Sequence, residues 1–279
     1  MAALAVLPVS SVFAASAAPV RIVYPAPEAG SDSRGSYIIE LLRLALDKSG
    51  AAYELAPYKF PMEQSRVLLQ LEKGGDIDVA WSMTTREREK TLRPIRIPID
   101  KGLLGWRLLL INNRDRDAFG AVHSLPQLQA YAAGQEHDWP DVAVLRANGL
   151  KVKTGETYDG LFHMLEADRF QYFPRSVTEI WDEQERHRGL GIEVETTLAL
   201  HYPSCIYFFV KKDNLPLEKR TEQGLRLAIR DGSFDKLFQR YYGNNILRAG
   251  LRKRTVLELA NPLLPGETPV DESGLWFKP

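Results

Sequence analysis

Short apolar strands alternate with amphipathic helices through the first half of this chain, and the same cadence begins again in the second half. "VRIVYPAP" is a strand that opens into a loop. "GSYIIELLRLALDKSG" then places Ile38, Ile39, Leu41, Leu42, Ala45 and Leu46 on one helical face. Ser31, Asp32 or Ser33 can cap its start and Gly50 supplies the stop. "YELAPYK" is the next strand, "MEQSRVLLQLEKGG" the next helix, and "DIDVAWS" a strand reaching Ser82. Alternation of this kind builds a mostly parallel sheet covered by helices.

The second half repeats the plan: "LQAYAAGQ" is a strand, "WPDVAVLRANG" a helix, "LKVKTG" a strand, "YDGLFHMLEAD" a helix and "RFQYFPRS" a strand. "LEKGGDIDVAWS" aligns with "LE-ADRFQYFPRS" across one gap, each a helix end, a polar turn and an apolar strand closing on serine. A chain of 279 residues, 44% hydrophobic and 26% charged, has the length and apolar content for two such lobes. Two long apolar runs, 102–112 and 201–211, read as the connections between them. The first lobe is then discontinuous, made of residues 19–108 and 207–279, with 109–206 as the second lobe. The lobes meet at about 109–112 and 201–206. "LEKRTEQGLRLAIRDG" and "SFDKLFQRYYG" are amphipathic helices ending in glycines, and the proline-rich "NPLLPGETPVDESGLWFKP" extends over the surface.

Lys+Arg and Asp+Glu both number 36, so no global field draws nucleic acid or an anionic membrane. Residues 1–18, "MAALAVLPVSSVFAASAA", have the apolar core and small-residue end of a secretory signal, which predicts export to the periplasm. The run lacks a basic start, which fits a start codon upstream of Met1; a disordered or core-inserted N-terminus is the other reading. No later stretch approaches the apolar length of a membrane span, so the mature protein is expected to be soluble. Cys205 stands alone in an apolar strand, which excludes a disulfide framework and points to a buried, inert thiol.

"GGDIDVAWSMTTREREKTLRPIRIP" resembles the family 3 extracellular solute-binding proteins, the two-lobed type associated with amino-acid uptake. The likeness lies in a Gly-Asp turn, a strand, and Thr-x-x-Arg, here Thr85 and Arg88, before basic residues and an apolar-proline segment. "EQGLRLAIRDGSFDKLFQRYYG" resembles the family's closing helices, and the likeness covers most of residues 20–245 in order. The resemblance implies an α/β, two-lobed type II periplasmic binding protein fold. Each lobe would be a mixed, mostly parallel sheet flanked by helices, with two hinge crossings. A small-molecule ligand would be held between the lobes unchanged, by a monomer that serves an inner-membrane ABC permease or a receptor. A sensory subunit and an enzyme on the same fold are the alternatives.

In the family an arginine at the position of Arg88 holds the ligand's carboxylate, and a guanidinium matches a carboxylate as a bidentate fork. Ser82 lies at the carboxyl end of its strand, where open α/β sheets bind ligands. Arg86 is the register-shifted competitor, and a solvated charge beside Glu87 and Glu89 is the plainer reading of Arg88. Tyr24, at the end of the first strand, stands where the family often sets an aromatic ring against the ligand; core packing is its alternative. Gly134 and Gln135 place donors near a helix start, Trp139 is a candidate apolar wall, and Asp138 a candidate cap.

Two departures from the family pattern stand out. Met83 occupies the place of a small hydroxyl residue, and Pro174-Arg175-Ser176 replaces the second-lobe aspartate that holds an ammonium. Arg175 and Ser176 therefore predict a second anion contact, suited to a dicarboxylate or a peptide-like acid. The alternative pairs Arg175 with Glu179, four residues on. The five histidines show no metal-ligand spacing, no cofactor motif occurs, and no nucleophile elbow or phosphate loop appears.

Overall fold

In the computed structural model, which describes residues 18–26 and 35–279, the alternation becomes three hydrogen-bonded sheets, two small ones in the first lobe and a larger one in the second, with helices packed on them. The leader-like run, but for Ala18, and the candidate caps Ser31, Asp32 and Ser33 lie outside the described residues. The first lobe opens with β1 (Val20–Ala26), α1 (Ser36–Lys48), β2 (Tyr53–Pro61), α2 (Gln64–Lys73) and β3 (Val79–Met83). It continues through α3 (Arg86–Thr91) and β4 (Leu92–Ile95). The chain crosses into β5 (Trp106–Asn112), then α4 (Arg116–Gly120), α5 (Leu125–Leu128), β6 (Ala132–Glu136) and α6 (Asp141–Ala147). β7 (Lys151–Gly155), α7 (Tyr158–Glu166), β8 (Tyr172–Ser176), α8 (Ile180–Arg186), β9 (Ile192–Val194) and β10 (Leu198–His201) complete the second lobe. The return runs through β11 (Ile206–Lys211), α9 (Leu215–Arg230) and α10 (Ser233–Ala249) to a last strand, β12 (Thr255–Glu258).

The two lobes share one device. In the first, β1 lies parallel to β2, and β11 runs antiparallel between β3 and β4. Asp78 stitches the two ladders together: its amide donates to the Val23 carbonyl at 2.9 Å and its carboxylate accepts from the Val23 amide at 2.8 Å. In the second, β6 lies parallel to β7 and β8, and β8 pairs antiparallel with β5. Thus β3 and β8, the aligned strands of the sequence repeat, each lie beside the strand that arrives from the other lobe. All residues of β5 and β8 are buried, the charged Arg107 and Arg175 among them.

The crossings lie at 96–105 and 202–205, because Trp106 and Arg107 already pair with His201 and Leu200 in the second lobe's sheet. The expected crossing at 109–112 thus falls inside β5; the continuous apolar run Leu108–Ile111 carries no periodicity that marks where the chain changes sheets. Asp100 joins the two crossings, accepting from the amides of Gly102 at 3.2 Å, Leu104 at 2.8 Å and Ile206 at 3.0 Å. Two further details depart from the sequence reading. Helix α10 runs through Gly243 to Ala249, with Ala249 buried and Ile246 packed on the core. That burial outweighs the roughly 1 kcal/mol that a mid-helix glycine costs. The tail does not simply extend over the first lobe: β12 pairs parallel with β10, from Leu198–Thr255 to His201–Glu258, and so adds an edge to the second lobe's sheet. Its Leu257 is buried there, and the pairing satisfies backbone groups that an open edge leaves exposed.

Helices α1 and α9 cover the first lobe's sheets at close range. A methyl group added at Gly224 would lie 1.8 Å from the Ala45 carbonyl oxygen. Gly224→Ala is expected to push the two helices apart and to destabilise the protein by about 1–3 kcal/mol. Denaturant unfolding with an unchanged m-value, set against Gly120→Ala as a site with no crowding neighbour and no left-handed backbone, measures it.

Candidate functional site

A cavity of about 540 Å³ lies between the lobes, within the range of small-molecule sites. The first-lobe wall comes from Trp81, Ser82 and Met83 at the carboxyl end of β3, with Gln64 from α2 and Tyr241 and Tyr242 from α10. The second-lobe wall comes from Arg107 on β5, Trp139 and Asp141 at the start of α6, Arg175 at the end of β8, and Glu179 beyond it. The lobes touch on both rims. The Ser65 amide donates to Asp138 at 3.3 Å. Asn245 donates to the Thr178 carbonyl and accepts from the Trp181 indole through its own carbonyl, both at 3.4 Å.

Arg88 stands behind the first wall. Thr85 caps α3 by accepting from the Arg88 amide at 3.2 Å, which turns the side chain back toward β3. Nη1 donates to the Ser82 hydroxyl and to the Met83 carbonyl, the latter at 2.9 Å. Nη2 donates to Gln64 Oε1 at 2.8 Å. All three acceptors are neutral, and among the described residues no carboxylate lies within ion-pair distance of this guanidinium. Burial lowers its pKa to about 10, and the more distant Asp138 and Asp141 oppose that only in part. The group stays cationic at neutral pH. Three of its five donors are taken, which leaves Nε and one position on Nη2 for a further acceptor.

The second wall is built the opposite way. Arg175 and Glu183, 2% and 0% exposed, form a two-pronged pair, Nε to Oε2 at 2.8 Å and Nη2 to Oε1 at 2.7 Å. Glu179 lies 3.1 Å from Arg175 and 3.4 Å from Arg107. Arg107 also pairs with Asp141 and donates to the Tyr202 hydroxyl at 2.9 Å. The Tyr158 hydroxyl donates to Glu183 at 2.7 Å. Burial by itself would lower both guanidinium pKa values. Asp141, Tyr202 and Glu179 more than offset it for Arg107, as Glu179 and Glu183 do for Arg175, so both are held above the ordinary arginine value. The Arg175 guanidinium also lies over Trp139, 4.6 Å from the ring centroid, with Trp139 stacked on Phe173 at 14°.

No protein-family model matches the sequence, and comparison with curated proteins finds no match. Solved structures do match. An ancestral arginine-binding protein bound to arginine superposes with a TM-score of 0.61 at 19% identity, covering 82% of this chain and 100% of its own. A periplasmic binding protein of Salmonella typhimurium with high arginine specificity gives 0.60 at 13% identity, covering 80% and 100%. A histidine kinase sensor domain with similarity to periplasmic binding proteins gives 0.59 at 15%, covering 81% and 96%. The fold is that of the two-lobed periplasmic binding proteins.

On this binding-protein fold the residues singled out from sequence divide by position. Ser82, Trp139 and Arg175 line the cavity, and Arg88 stands one layer behind Ser82. Tyr24 packs on Trp81, 6.3 Å between centroids, and it is Trp81 that lines the cavity. Thr85 is a cap. Gln135 is fully buried and donates to the Pro174 carbonyl at 3.4 Å. Ser176 donates to the Leu103 carbonyl at 3.1 Å and accepts from Thr178. Gly134 is where Phe170 packs, its ring 2.1 Å from an added Cβ. Asp138 caps nothing and reaches across to Ser65, while Pro140 takes the cap position. Arg86 leaves the cleft and donates to the Pro262 carbonyl. Cys205 is buried, and burial pushes its thiol pKa up.

Sequence reasoning missed Arg107, Asp141 and Glu183. The one available signal was Arg107 itself, a lone charge inside "GWRLLLIN". A charge in a fully buried strand must find partners.

Arg175 is already matched by carboxylates, in the manner of the local-pairing alternative, before any ligand is considered. Arg175→Ala is expected to cost about 3–5 kcal/mol of folding stability, because the buried Glu183 carboxylate loses its guanidinium counter-charge. Arg175→Ala combined with Glu183→Gln should recover part of that loss. Equilibrium unfolding of the three proteins measures both effects.

Proposed function

We propose that this chain is a periplasmic solute-binding protein that captures a small carboxylate-bearing solute, amino-acid-like or another organic anion, for ABC-type uptake. One observation carries the reading: the interlobe cavity is backed by a half-buried guanidinium, Arg88, that among the described residues meets only neutral acceptors, while Arg107 and Arg175 of the facing network have carboxylate partners. A largely desolvated cation whose described partners are all neutral is a place for an anion. The solved structures described as amino-acid-binding proteins support the same reading through their fold. In this proposal the lobes close on the solute and release it unchanged, and the remaining candidates, Tyr24, Thr85, Gln135 and Ser176, support the wall from behind.

The likeness to a histidine kinase sensor domain supports a second reading, in which the same closure is reported to a membrane receptor. Recovery of a permease rather than a receptor with the ligand-loaded protein separates the two.

Native mass spectrometry of gently purified protein is expected to reveal a bound small acid, chemically unaltered after prolonged incubation. Arg88→Ala should weaken that ligand by about 2–5 kcal/mol, read by calorimetry, whereas Arg86→Ala should leave it nearly unchanged. Equal, small losses for both would remove Arg88 from the site. Turnover of the acid would favour an enzyme.

A further inference from the structure

The arginine-binding neighbours match over their whole length and still leave about a fifth of this chain unmatched. The shared two-crossing plan is therefore complete without all of this chain, which after α10 passes to the second lobe and back to the first, and fastens itself at five places. β12 pairs with β10, and the Leu259 amide donates to the His201 carbonyl at 2.7 Å. Asn148, at the end of α6, exchanges two hydrogen bonds with Ala260, at 2.8 and 2.9 Å. Asn261 donates to the Pro203 carbonyl, in the second crossing, at 2.8 Å. On the first lobe, the Arg86 amide donates to the Leu263 carbonyl at 3.1 Å and the Arg86 guanidinium to the Pro262 carbonyl at 2.9 Å. The Phe277 amide donates to the Lys101 carbonyl, in the first crossing, at 2.7 Å. There Trp276 lies so close to Gly102 that an added Cβ would sit 2.4 Å from its ring.

We propose that residues 255–277 form a strap that limits how far the cleft opens. Lobes on a hinge separate by changing backbone angles at the crossings, and any segment bonded to both sides must stretch or let go. Between Ala260, bonded to the second lobe, and Leu263, bonded to α3 of the first, lie only three residue steps. Each step spans at most about 3.3–3.6 Å, so the link absorbs little relative movement of α3 and α6. The strap is bonded at Arg86, two residues before Arg88 in the same short helix, and so it also fixes the helix that carries Arg88. The strap acts whichever solute the cleft takes, and its test needs none.

Glu72→Cys on α2 and Lys153→Cys on β7 place labels on exposed positions of opposite lobes; Cys205, buried, stays unlabelled. Interlobe distances are measured by double electron–electron resonance, without added solute, in three proteins. These are the full chain, a chain ending at Leu259, and a full chain with a short Gly-Ser linker inserted between Asn261 and Pro262. The insertion keeps the strap's bonds to both lobes, gives up only the local turn in which Asn261 accepts from the Leu263 and Leu264 amides, and removes the tautness. The expected result is a distance distribution that broadens toward longer values in both altered proteins, with cooperative melting retained in the insertion. Distributions that match the full chain overturn the proposal. If the shortened chain does not fold, the insertion alone decides in the same way. Loss of solute binding by Arg88→Ala, or its absence, leaves this result untouched.

Discussion

The second wall of the cleft stands on two guanidinium groups buried with three carboxylates. Removing such charges from water costs several kcal/mol each, and only close, well-oriented pairing repays it. Arg175 meets that condition through its two-pronged bond to Glu183 and its contact with Glu179. Arg107 does so through Asp141, Glu179 and Tyr202. These partners come from β5, the start of α6, the end of β8, the segment before α8, α8 itself and the second hinge crossing. The network therefore fixes the relative placement of nearly every element that forms this wall. The wall is rigid because breaking any one pair leaves a buried charge with less compensation than its removal from water requires.

That rigidity sets the character of the first wall by contrast. Arg88 is held by a hydroxyl, a carbonyl and an amide oxygen, and burial pulls its pKa down where carboxylates raise those of Arg107 and Arg175. The two walls thus differ in kind: the guanidinium groups of one are matched by carboxylates, and that of the other meets only neutral acceptors among the described residues. The pairing of Arg175 removes the second free cation that a dicarboxylate would use, and leaves Arg88 as the anchor on which the proposed site depends.

The hinge has the same economy. Asp100 gathers three amides from both crossings, and the tail is bonded to both crossings and both lobes. Motion about this hinge is shaped by hydrogen bonds outside the cavity as much as by any contact within it.

The fold was legible in the sequence because its signals are local. Helical spacing of Ile38, Leu41, Leu42, Ala45 and Leu46, the alternation of strand and helix, and the repeat that aligns β3 with β8 each lie within a few residues of chain. Arg88 was legible for the same reason, since Thr-x-x-Arg places a cap and a cation in one turn. The partners of Arg175 were only half legible: Glu179 lies four residues away, but Glu183 is one helical turn further, and the sequence does not say which carboxylate the chain will bury. Arg107 and Asp141 are 34 residues apart and meet across two elements; no periodicity links them. The edge strand β12 was hidden likewise, because its partner β10 lies more than fifty residues earlier. The sequence by itself determined two α/β lobes and a cation at the end of a strand, since propensity and periodicity act at short range. Which cations remain free, and where the tail is tied, only the tertiary structure decided, because charge pairing and strand pairing depend on what folding brings together in space.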